Sequence, residues 1–371
     1  MRDVRITKLA ELLVNHSCSL TTGEKVLIES INAPNEIVIS LIRAAKAAGA
    51  SPVVIQKDDQ LIRELARTCT VDDVKLMARC ELAMLKEMDA FISIRGVPNA
   101  HEYADVPPDK RSLLLENYIE PVHLQYRNAN LKWVALRWPT SAFAQRAGMS
   151  TEAFEDFFFE ASTLDYAKLE QAMTPLAELL DETDIVRIVG PGDTNLKFSI
   201  KGISQYKSAG YHNVPDGELF TAPIKDSIEG RICYNVRSTF YGHTFENICF
   251  DFHQGRVVNA VCSQNIDALN KLLEQDDGAA YVGEFAFGVH PLITRPIDDI
   301  LFDEKMTGTI HLAQGNSYPM CDNGNRSAIH WDLILDQREK MGGGSVFFDD
   351  ALVRQAGVFV LPQLAALNPQ K

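Results

Sequence analysis

Two textures of apolar and polar residues succeed each other along the chain. Through the first half, short β-branched runs alternate with segments whose apolar residues recur every three or four positions. "KVLIES" (25–30), "SPVVIQ" (51–56), "AFISIRG" (90–96) and "KWVALRWP" (132–139) read as strands, with helical spacing over 35–49, 58–67, 72–87 and 110–128. Such alternation predicts an α/β domain: a parallel sheet with helices on both faces. Its ligand crevice lies beyond the strand C-termini, yet the turn after the first strand, "SINAPNE", lacks the glycines of a dinucleotide site. A dinucleotide cofactor is therefore excluded there. Residues 151–182 read as helix and form a bridge in which Pro175 bends or starts a helix. From 184 onward, strand-like runs such as "DIVRIVG", "NLKFSI", "ENICFDF" and "RVVNAVC" follow at short spacing, with one clear helix at 265–275. The expectation is an N-terminal α/β domain with its helical bridge over 1–182. An α+β, strand-rich domain on a mixed or antiparallel sheet follows over 183–371.

Inside four of the C-terminal segments the pattern carries chemistry. In "SAIHWDLIL" (327–335), Ile329, Trp331, Leu333 and Leu335 point to one side, and Ala328, His330, Asp332 and Ile334 to the other. One face forms core. The other holds an imidazole and an acid about 6.6–6.8 Å apart along the strand, close enough to converge on one ion or to form a buried hydrogen-bonded pair. In "TGTIHLAQGNSYP", His311 shares a face with Thr309 and Ala313, opposite Ile310 and Leu312. In "VGEFAFG", Glu284 and Ala286 oppose Phe285 and Phe287. Glu218 lies in "NVPDGELFTAP" between a turn and a proline, and Glu304 in "FDEKMTG" precedes the histidine strand.

Each of these residues alone fits a structural role. Together, carboxylates and imidazoles on the inner side of apolar strands repel and are poorly solvated unless cations neutralise them. Ionised Glu218, Glu284, Glu304 and Asp332 bring four negative charges, which two divalent ions cancel. Nitrogen and oxygen donors without thiolate suit zinc, cobalt, manganese or magnesium. The set exceeds the ligands one zinc takes, which favours two ions sharing a bridging carboxylate.

Composition narrows the partners. The 371 residues, 46% apolar and 23% charged, suit an ordinary globular protein of two domains. A formal charge of -14 argues against nonspecific binding to nucleic acid or anionic membrane. The N-terminal "MRDVRITKLAELLVNHS" lacks the continuous apolar core of a signal peptide, and "EIVISLIRAAKAAGA" is too short and too charged to span a bilayer. Seven scattered cysteines without a C-x-x-C pair are expected as reduced thiols in a cytoplasm.

The segments "NVPDGELFTAP", "GEFAFG", "GTIHLAQGNSYP" and "SAIHWDLIL" resemble, in order and residue type, the metallo-aminopeptidases of peptidase family M29, the aminopeptidase T and S group. "LLVNHSCSLTTGEKVLIE" and "LRWPTSAFAQRAGMS" resemble that family more loosely. The resemblance implies a catalytic, metal-binding C-terminal domain in which Glu218, Glu284, His311, His330 and Asp332 ligate two metals, with Tyr318 beside them as a catalytic group. It implies hydrolysis of peptides with a free N-terminus, with Glu284 also serving as proton acceptor, and a homodimer. Glu304 corresponds to a further glutamate ligand, although the spacing in "DEKMTGTIH" differs from some members. Two other readings stand beside this one. Ring-opening dioxygenases of dihydroxypyridines, relatives in the same superfamily that use one iron, place a histidine where this chain has Glu284, with His290 in "GVHP" as a substitute ligand or a loop residue. A noncatalytic protein that binds metal or peptide is the other.

Overall fold

The computed structural model describes residues 3–369. By its contacts the chain divides into Met1–Leu164 with Gly210–Pro215, and Asp165–Ala209 with Asp216–Lys371.

The first unit holds a parallel sheet in which β1 (Lys25–Ile31) lies between β2 (Ser51–Lys57) and β3 (Ala90–Gly96), with β4 (Lys132–Trp138) beyond β3. A short strand, Asn213–Val214, returns from later in the chain to extend the sheet beside β4. Central β1 and β3 are buried over nearly their whole length, as the continuous apolar runs require, whereas edge strand β2 stays half exposed. Helices form where the apolar spacing predicts them. The helix Val71–Leu85, for instance, opens on a capping box in which Thr70 and Asp73 satisfy each other's backbone N–H groups. The helix expected over 110–128 instead begins as Pro108–Leu114 and continues π-wound through Leu115–Arg127. Pro121 lies inside that stretch, where a missing N–H and a crowded ring disfavour regular α winding.

The expected bridge is two helices, Thr151–Ser162 and Tyr166–Glu182, broken at residues 163–165. The second buries Tyr166, Leu169, Met173, Leu176, Ala177 and Leu180 and packs on the 3-10 turn Pro362–Leu367, so it belongs to the second unit. Contacts thus divide the chain ahead of this helix rather than at 182/183. Pro175 lies in the helix interior.

The second unit is built mainly on two antiparallel sheets, with a two-stranded hairpin of Ser238–Phe240 and His243–Phe245 besides. Five strands form the sheet that matters for chemistry: β5 (Tyr206–Ser208), β6 (Glu218–Thr221), β7 (Val282–Gly288), β8 (Thr309–Gly315) and β9 (His330–Asp336), in the spatial order β9-β8-β7-β6-β5. An eight-stranded sheet packs on one face of it. Phe285 meets Phe198 at 5.1 Å between ring centroids, and Phe287 meets Phe348 at 6.1 Å and Phe359 at 5.7 Å. These aromatic residues, with Leu312, Leu333 and Leu335, are the buried core that the alternation predicts.

Cys233 and Cys249 face each other in register on neighbouring antiparallel strands and form a disulfide. All seven cysteines were expected as thiols. A separation of sixteen residues gives no sign of pairing in the sequence, because strand register brings these two together. No helix among the described residues is long and apolar enough to cross a membrane.

Gly288, at the end of β7, has no room for a side chain. A Cβ there would lie 2.3 Å from the Met306 carbonyl oxygen and 2.8 Å from that of Glu304. We predict that Gly288→Ala lowers stability by about 1–3 kcal/mol, through the backbone shift that overpacking forces. An unchanged urea midpoint contradicts this.

Candidate metal centre

The pleat and the register place the polar residues. Along β9, His330, Asp332 and Ile334 share a face; along β8, His311 and Ala313 do; along β7, Glu284 and Ala286 do; and β6 contributes Glu218. Pairing aligns them in rows. Glu284, Ala313 and Asp332 are cross-strand partners, the next row holds Ala286, His311 and Ile334, and Glu218 pairs with Gly288 one row further. The small residues Ala286, Ala313 and Gly288 leave space between the longer heads. This is the face opposite the aromatic core.

His311 Nε2 lies 3.2 Å from Glu218 Oε2, 3.2 Å from Glu284 Oε1 and 3.9 Å from Asp332 Oδ1. His330 Nε2 lies 3.4 Å from Glu284 Oε2 and 3.5 Å from Asp332 Oδ1. Two groups of donor atoms result, Glu218–Glu284–His311 and Glu284–His330–Asp332, each with its atoms within 4.8 Å of one another. Glu284 belongs to both. The His330 Nδ1–H donates to the Asn316 carbonyl at 2.8 Å, which fixes the ring with Nε2 toward the carboxylates. The Tyr318 ring lies tilted against that of His330, with 4.5 Å between centroids, and the residue remains 40% exposed.

The donors fit a divalent cation. Glu218 Oε2 and Glu284 Oε2 are buried without a hydrogen-bond partner, an arrangement that costs stability unless something else satisfies them. Nitrogen and oxygen atoms alone make up the set, as borderline and hard metals prefer.

Glu304 and Lys305 complete the surroundings. The structure brings Glu304 against Lys305, at 2.6 Å, rather than into either donor group. Lys305 is 1% exposed, and its Nζ also lies 2.5 Å from Glu218 Oε1 and 3.7 Å from Asp216 Oδ1. Neither Lys305 nor Asp216 was singled out in the sequence. Asp216 looked like part of a turn, and a lysine in "DEKM" gives no sign that its amine turns inward. His290 is buried in a loop, where its Nδ1 accepts the Leu292 and Ile293 N–H groups, both at 3.2 Å.

Charge follows from this packing. Burial pushes Glu304 well above the ordinary carboxylate range against the pull of Lys305, with Glu218 and Asp332 adding to the rise. For Glu218 burial acts the same way, but Lys305 and His311 outweigh it and lower the pKa. Burial disfavours charge on His311 and His330; carboxylates around His311, and Tyr318 with Asp332 beside His330, nevertheless raise both well above 6.5. For Tyr318, the charge on His330 pulls downward, while burial and the nearby carboxylates win and raise the phenol.

Comparison with known proteins agrees with this geometry. The profile of the family described as thermophilic metalloprotease (M29) matches residues 2–347. The chain is thus a metallopeptidase, a peptide hydrolase by class. It belongs to family M29, which also covers the N-terminal half that the motifs matched only loosely. "Aminopeptidase 2" of Geobacillus stearothermophilus is 26% identical over 388 residues, covering 90% of this chain and 92% of that protein. The solved structure of wild-type AmpT from Thermus thermophilus superposes with a TM-score of 0.82 at 21% identity, covering 96% of this chain and 99% of the other. A 2,5-dihydroxypyridine dioxygenase from Pseudomonas putida KT2440 shares the fold at a TM-score of 0.61 and 13% identity, covering 97% and 98%.

The raised imidazoles set a pH dependence. Below their folded pKa values, which lie above 6.5, His311 and His330 are protonated in the metal-free protein and must lose protons to ligate. We predict that cobalt binding at pH 7 releases protons and tightens as pH rises. Calorimetry in buffers of different ionisation enthalpy checks this, and a buffer-independent heat contradicts it.

Proposed function

We propose that the protein is a metal-dependent aminopeptidase that removes N-terminal residues from peptides, using two divalent ions. Glu218 and His311 would hold one, His330 and Asp332 the other, and Glu284 would serve both. The observation that carries this reading is the shared Glu284 between two complete donor groups. Zinc, cobalt, manganese and magnesium all suit the donors. Bound divalent ions supply Lewis acidity and bring the pKa of water toward neutrality.

The chain's own residues do the rest. Glu284 accepts the proton of the attacking water and passes it to the departing amine. Tyr318, next to His330 and open to solvent on one side, donates its phenolic hydrogen to the oxygen of the first peptide carbonyl as negative charge develops there. Its raised pKa keeps that hydrogen in place at neutral pH. A carboxylate not fully spent on metal binds the peptide's α-ammonium, which restricts cleavage to the N-terminal residue. Glu304 is not among the ligands in this reading, since it stands in neither donor group. A homodimer and a cytoplasmic setting go with the same reading.

Stripping metal with a chelator should abolish release of N-terminal amino acids from a mixed peptide set, and adding back one of the four metals should restore it. Release that survives full metal removal, or that no metal restores, contradicts the proposal. Glu284→Gln should lower kcat by about 10²–10⁴-fold, where a noncatalytic binder has no turnover to lose. Tyr318→Phe should lower kcat by about 10²–10³-fold with metal content unchanged. A Tyr318→Phe enzyme with wild-type kcat removes the tyrosine from the chemistry.

A further inference from the structure

Lys305 is a cation fixed inside the cluster. It is buried, and its Nζ contacts Glu218 Oε1 at 2.5 Å and Glu304 Oε1 at 2.6 Å. Of the two donor groups, only the one containing Glu218 shares a carboxylate with this ammonium. Glu218 therefore offers that group one committed oxygen and one uncommitted oxygen, Oε2. Part of its charge is already neutralised, and a divalent ion there meets a fixed like charge across one carboxylate.

The imidazoles differ in the same sense. His330 is oriented by its Nδ1–H bond to the Asn316 carbonyl, whereas His311 Nδ1 has no hydrogen-bond partner. A histidine whose second nitrogen is held by a carbonyl is pre-oriented and a better ligand. Charge and orientation both favour Glu284–His330–Asp332 over Glu218–Glu284–His311.

Building on the metal-binding reading above, we infer that Lys305 makes the centre unequal: the His330–Asp332 group holds its ion tightly, and the Glu218–His311 group holds a weak, exchangeable one. Lys305 acts here as a positioning and charge-setting residue, and does not touch the reacting atoms. Removing its charge should strengthen the weaker position, since a second ion can then take over the neutralisation of Glu218.

The test is titration of the chelator-stripped, full-length protein with cobalt(II), followed by visible absorption and calorimetry. The wild type should bind two equivalents, the second about tenfold or more weakly than the first. Glu218→Gln should lose the weaker event and keep the tighter. Lys305→Met should tighten the second event about tenfold, and Lys305→Arg, which keeps the charge, should preserve the gap. Equal affinities in the wild type overturn the inference without any variant, and should Lys305→Met fail to fold, Lys305→Gln, which also removes the charge, is titrated in its place with the same expectation. Loss of the tighter event in Glu218→Gln, or an unchanged gap in a folded Lys305→Met, also overturns it. These results leave the aminopeptidase reading standing, whereas absence of any cobalt binding ends both.

Discussion

Carboxylates packed together away from water need a positive partner, and that constraint organises the second unit. On one face of a five-stranded sheet, Glu218, Glu284 and Asp332 stand within reach of His311 and His330, while the reverse face is sealed by aromatic packing. Lys305 is in contact with this group, and it faces Glu218, Glu304 and Asp216 together. The first unit holds a comparable cluster. There the buried Glu29 and Glu81 share Lys57, at 2.5 and 3.0 Å, and Tyr118 and Ser93 donate to the same carboxylates. The lysine and two hydroxyls leave one of these carboxylate oxygens, Glu81 Oε1, without a hydrogen-bond partner. The cluster in the second unit keeps orphaned oxygens on both Glu218 and Glu284.

Period-two alternation explains why so much of this face was legible in the sequence. A strand that alternates core residues with polar or small ones fixes which side chains share a side. His330, Asp332, His311 and Glu284 follow that rule, and the structure brings them together from β9, β8 and β7. The parallel sheet of the first unit was equally legible, because its central strands are buried on both faces and its helices carry clear amphipathic spacing. Family membership then added what no pattern states, the class of reaction.

What the sequence left hidden depends on tertiary path. Helical periodicity in Tyr166–Glu182 is the same whichever unit receives its apolar face. The pairing of Cys233 with Cys249 depends on strand register. Lys305 is the most consequential case, since nothing in a charged tripeptide tells that its loop lies over Gly288, close enough that a single Cβ would collide with it. Glu304 was read as a ligand candidate from its position before the histidine strand, and it stands against Lys305 in neither donor group.

The most direct examination of the central claim is anomalous diffraction, recorded at the absorption edge of cobalt or zinc from crystals grown with that metal. The account predicts density beside Glu284, with a stronger peak toward His330 and Asp332 and a weaker one toward His311 and Glu218. A map with no anomalous peak among these side chains, from protein that hydrolyses peptides in the same preparation, would contradict it.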